Sequence, residues 1–133
     1  MRNSAILVAL TGAALLSTST AIEAQPRPPA SAPPRCFSAH DWEGSKSSDD
    51  RSMYIRVRGH DIYRIDFAGG CPGVSWPGNH IVSVFRGGDE VCAPLDLDLK
   101  ISDGHGIPTA CIVSRITPIP YAEVAAMPRK LLP

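Results

Sequence analysis

The feature that most constrains this chain is its set of four cysteines, Cys36, Cys71, Cys92 and Cys111, all downstream of an N-terminal stretch with the pattern of an export signal. An even number of well-separated cysteines in an exported protein reads as a disulfide framework. No two are close enough for a CxxC redox pair or a zinc ribbon, so thiol and metal chemistry are both poorly supported.

The export signal is read from three features. Arg2 supplies a positive start, Ala5 to Leu16 form a short apolar run, and a Ser, Thr and Ala stretch follows. Cleavage fits after Ala21 or after Ala24, and the apolar run is short for a membrane span. The expected organisation is therefore a signal peptide over 1–24, a Pro-rich disordered linker over 25–35 (QPRPPASAPPR), a small disulfide-bonded domain over 36–128 and a tail over 129–133. With the leader removed, the expectation is no stable membrane span and a periplasmic or secreted location.

The body of the domain has a period of two. Met53, Ile55 and Val57 alternate with Tyr54, Arg56 and Arg58; after Gly59-His60-Asp61, Tyr63, Ile65 and Phe67 alternate with Arg64 and Asp66. This is the pattern of a half-buried hairpin. Pairing Val57 with Tyr63 and Ile55 with Ile65 keeps one face apolar and predicts a three-residue loop, Gly59 to Asp61. Further strands are expected at Ile81 to Arg86, Val91 to Ile101 and Ala110 to Thr117, with Ser102 to Pro108 a turn by composition. Pro120 and Pro128 bracket a short helix over Tyr121 to Met127. The predicted fold is mainly β: a small antiparallel sheet or partly open barrel of about five strands, a short C-terminal helix and two disulfides.

Four cysteines permit three pairings. The pairing taken as the expectation is Cys71–Cys92, tying the Gly/Pro loop 69–78 to the fourth strand, with Cys36–Cys111 fastening the start of the domain to its last strand. The sequence does not choose among the three.

Cys36-Phe37, Asp50-Arg51, Tyr63-Arg64, Cys71-Pro72-Gly73, Cys92 and Cys111 resemble a family of small exported proteins of Gram-negative bacteria known as a domain of unknown function. The likeness runs from Cys36 to Pro118. It implies a small secreted or periplasmic domain and carries over no activity.

The chemistry-bearing residues support little catalysis. His40, His60, His80 and His105 lack the spacing that brings imidazoles together, so neither a metal nor any other cofactor is expected. Asp96 and Asp98 read as the wet face of a strand, and i, i+2 neighbours do not define a glycosidase cleft. There is no GxSxG, HExxH or phosphate-cradling loop. Thirteen basic and thirteen acidic residues balance, which gives no electrostatic argument for nucleic acid. What remains as a candidate binding surface is the outer face of the hairpin, where Arg56 and Arg64 would stand opposite one another with Arg58 beside them, together with Trp76 in the Gly/Pro loop. The expectation is a non-catalytic binding or interaction module whose partner is an envelope protein or glycan. The alternatives are an inhibitor of an envelope hydrolase such as lysozyme, and a cell-envelope enzyme with an unrecognised site.

Overall fold

A computed structural model describes residues 32–47 and 49–133. The expected signal peptide and most of the expected linker lie outside these residues. The described chain is mainly β, with strands β1 (Phe37–Ser38), β2 (Trp42–Lys46), β3 (Ser52–Val57), β4 (Asp61–Phe67), β5 (His80–Phe85), β6 (Glu90–Val91), β7 (Leu97–Ser102), β8 (Thr109–Cys111) and β9 (Val113–Pro118), followed by helix α1 (Tyr121–Ala126). They form three antiparallel sheets of order β2-β3-β4-β9, β5-β7-β8 and β1-β6, and no closed barrel.

The two larger sheets share one core. Met53, Ile55, Val57, Tyr63, Ile65 and Phe67 come from the hairpin, and Leu97, Leu99, Ile101 and Cys111 from the smaller sheet; all are buried in a single cluster. Alternation explains why these residues and not their neighbours face inward, since successive side chains of a strand point to opposite faces. Between β8 and β9 the chain crosses from the smaller sheet to the larger at one residue, the exposed Ile112, whose carbonyl accepts the Ala68 N–H at 2.8 Å. Sandwich corners are made by such bends. The expected single strand over Ala110 to Thr117 is thus two strands in different sheets.

The hairpin has the expected three-residue loop, but displaced by one position. Ile55 stands opposite Tyr63, Met53 opposite Ile65 and Val57 opposite Asp61, leaving Arg58, Gly59 and His60 as the loop. The pairing differs from the expected one by two residues, so the same faces stay buried. The displacement follows from tertiary bonds at the turn. Arg58 takes a left-handed backbone (φ 52°), as does Gly59 (φ 77°). That conformation is unfavourable for a residue with a Cβ. Arg58 is held there by its N–H to the Asp41 carbonyl (3.0 Å) and its Nε to Asp41 Oδ2 (2.7 Å).

The disulfides are Cys36–Cys92 and Cys71–Cys111, not the pairs expected from the sequence. The short β1–β6 ladder decides the first: Phe37 faces Val91 and Ser38 faces Glu90, so the next pair in that antiparallel register is Cys36 with Cys92. Cys111 then serves the Gly/Pro loop, because β8 lies beside β7 under that loop and both Cys71 and Cys111 enter the core. Two disulfides in a domain this small fit an oxidising compartment.

The strand expected over Val91 to Ile101 is also interrupted, into β6 and β7. Residues Pro94–Asp96 form a 3-10 turn in which Asp96 Oδ2 accepts the Cys92 and Ala93 N–H groups at 2.9 and 2.8 Å, leaving Leu95 exposed. Ordered contacts run beyond the expected domain limits at both ends. Pro33 is buried, the Pro34 carbonyl accepts the Tyr63 hydroxyl at 3.0 Å, and Pro133 packs against Gly44. Helix α1 forms where Pro120 and Pro128 predict it, and the Tyr121 hydroxyl reaches Asp61 Oδ1 at 2.8 Å.

Candidate functional site

A groove of about 770 Å³ lies between the two main sheets, bounded by β2, by β5 and by the Gly/Pro loop. Both strands lie at the end of their sheet, each with one edge that pairs with no other strand among the described residues. Residues 42–47 form one wall; Ile81, Ser83 and Phe85 form the other. Met53 is its apolar floor, and Val74 to Pro77 close one end. A groove between unpaired strand edges offers rows of backbone N–H and C=O groups, the arrangement that accepts an extended segment by strand addition.

The loop that carries Trp76 into this groove is a built element. Cys71 anchors it through the disulfide, and the Val74, Trp76 and Asn79 N–H groups close successive turns onto the Cys71, Gly73 and Trp76 carbonyls at 3.2, 3.1 and 3.3 Å. Gly73 is required twice over. Its φ is +85°, and a Cβ there would lie 2.8 Å from Asn79 Nδ2, which donates to the Gly73 carbonyl. Ser75 ties the loop to Asp50 at 3.2 Å. The result presents Trp76 with 65% of its surface exposed at the groove's rim, while Trp42 packs edge-on to Phe85 at 6.3 Å below it. Large exposed aromatics on rigid loops are the commonest energetic anchors of interfaces.

Of the expected binding residues only Trp76 lines this groove. Arg56 faces Ile62 rather than Arg64, and Arg64 faces Tyr54, so the two arginines are diagonal and not opposed. The Arg64 guanidinium is matched by Asp66 (2.7 Å) and that of Arg58 by Asp41 (2.7 Å). A smaller cleft of about 380 Å³ brings Arg64 and Asp66 beside Arg51 and Phe67. Sequence reasoning missed the groove's β2 wall, because Trp-Glu-Gly-Ser-Lys has no alternation, and its Ser83, which the alternation of β5 does place on the inner face.

The carboxylates of Asp96 and Asp98 are engaged structurally. Asp98 pairs with Arg86 at 2.7 Å and Asp96 caps its turn, so the two are not a shared carboxylate site. Both carboxyls lie below the usual carboxylate range, Asp98 through the Arg86 bond and Asp96 through the backbone donors of Cys92 and Ala93. His40 and His60 each approach a carboxylate, Asp89 at 3.2 Å and Asp61 at 3.3 Å. Among the described residues the one cluster of ligand-type side chains is Cys36, Glu90 and Cys92, whose sulfurs are already joined in the disulfide and cannot bind a metal as thiolates.

Tyr63 is the titrating group most displaced by the fold. Burial, followed by the charge of Asp61, pushes its hydroxyl up to about 12. The unfolded chain releases that proton near pH 10. Between the two values the folded state binds more protons than the unfolded one, so stability is full below pH 10 and falls as the pH rises toward 12. Tyr121, raised mainly by its hydrogen bond to Asp61, acts in the same direction. We expect the urea midpoint to drop between pH 10 and 12, and to drop less in Tyr63→Phe; identical alkaline curves would show that this hydroxyl does not titrate differently in the fold.

Comparison with protein-family models, curated proteins and solved structures finds no match.

Proposed function

We propose that this protein is a periplasmic or secreted, non-catalytic binding module that receives an extended polypeptide segment in the groove between β2 and β5. One observation carries the reading: β2 and β5, each with an edge that pairs with no other strand among the described residues, line a single cavity with the exposed Trp76 at its rim. Main-chain hydrogen bonds along the free edge would supply affinity, and the pockets beside Trp42, Trp76 and Phe85 would select alternate side chains of the guest. The serines and the Glu43/Lys46 pair leave the groove near neutral, which favours an uncharged guest segment over a nucleic acid or a strongly charged glycan. The export pattern of the sequence and the two disulfides support the location.

Panning random peptides displayed on phage against the oxidised domain tests the reading. The expected result is a set of peptides that shift the tryptophan fluorescence of the protein and bind at least tenfold more weakly to Trp76→Ala, since an anchor of this kind contributes about 2 kcal/mol or more. A panel that yields no binders, or binders indifferent to Trp76→Ala, would overturn it.

A further inference from the structure

The four edges of the two main sheets that pair with no other strand among the described residues are not equally protected. β2 carries Glu43, Lys46 and a register shift between Trp42 and Gly44; β9 carries Arg115 and ends at Pro118; β8 has only three residues. Charges, prolines, bulges and shortness are the usual devices that stop an edge from pairing with another chain. β5 has none of them. It is six residues long, His-Ile-Val-Ser-Val-Phe, pairs with β7 without a register shift, and leaves Val82 and Val84 exposed at 41% and 46%.

We propose that β5 is a homodimerisation strand, pairing antiparallel with β5 of a second copy of this chain. This rests on the groove as a seat for extended chain and names its occupant. The strand is self-complementary about Ser83. With Ser83 opposite itself on the two-fold axis, each Val82 faces Val84 of the second copy on the outer side. Each Ile81 faces Phe85 on the groove side, and each His80 faces Arg86. Apolar residues thus meet apolar residues on both faces, the pairing that stabilises a sheet. Charge permits the same register. No charged residue lies between Ile81 and Phe85, and the Arg86 guanidinium beyond them is already matched by Asp98 at 2.7 Å. The product joins two three-stranded sheets into a continuous six-stranded one, β8-β7-β5-β5-β7-β8, by a closed, isologous contact. Pairing of six residues alone lies at the small end of protein interfaces, below about 1,200 Å² in total, so the dimer is weak, with a Kd on the order of 10–100 μM.

Sedimentation velocity on the oxidised domain from about 5 to 500 μM reads this directly, the range bracketing that Kd. Dimerisation that rises with concentration and is lost in Val82→Lys/Val84→Lys supports the assignment. A protein that stays monomeric throughout overturns it. A second variant needs no change to the apolar surface. Ser83→Cys, oxidised mildly after folding, should crosslink two copies at the dyad, whereas Ser114→Cys on β9 should not. Equal crosslinking by the two variants overturns the register. The two readings fail separately: a monomer that still binds panned peptides in a Trp76-dependent way removes the dimer and leaves the groove standing.

Discussion

Cys71→Ala/Cys111→Ala lowers the unfolding free energy by more than Cys36→Ala/Cys92→Ala, although it opens the shorter loop. The bridged residues are 40 and 56 apart, and loop-closure entropy assigns about 4 kcal/mol to each with a difference of only a few tenths. Surroundings therefore decide the order. Cys71 and Cys111 are buried in the core shared by both sheets, whereas Cys92 is exposed and Cys36 half-buried. Alanine at the inner pair adds a packing defect to the lost crosslink. It also frees the loop that carries Trp76, so groove binding should weaken in this variant and not in the outer one. A small domain has about 5–15 kcal/mol of total stability, and the variant lacking both bridges should be unfolded at 37 °C. Urea denaturation of the two double variants measures the order. Equal losses would show that loop closure alone sets the cost.

Tyr63→Ala should destabilise the domain by about 3–5 kcal/mol, the range for emptying a large aromatic from a packed core. Tyr63 has no exposed surface, its ring centroid lies 4.8 Å from that of Phe37, and it stands in β4 between Ile55 on β3 and Pro118 on β9. Its hydroxyl contributes far less. Tyr63→Phe removes one bond to the carbonyl of Pro34, an exposed residue that water can satisfy, for about 0.5–1.5 kcal/mol. Thermal or urea unfolding of the two variants separates the terms. A phenylalanine variant as unstable as the alanine one would mean that the hydroxyl, by tying 32–36 to the sheet, holds the fold together.

The hairpin was legible because its signal is local. Met53, Ile55, Val57, Tyr63, Ile65 and Phe67 alternate strictly, and a period of two assigns the buried face whatever the rest of the chain does. β5 and α1 were legible from local signals too, a short apolar run closed by Gly87-Gly88-Asp89 in one case and flanking prolines in the other. Asp41 lies 17 residues before Arg58 in sequence and bonds to it in space, so the hairpin register could not be read from residues 53 to 67 alone.

The binding surface shows the same division. Trp76 stood out as an aromatic in a Gly/Pro loop, but β2 carries no periodic pattern and its role in the groove depends on β5, which lies in another sheet. The sequence by itself determined a mainly β body, the inward residues of the hairpin and the presence of two disulfides, because each follows from composition or from a period of two residues. Tertiary structure alone decided which cysteines pair, where the chain changes sheets and which strand edges stay open, because those depend on contacts between segments tens of residues apart, whose order no local pattern encodes.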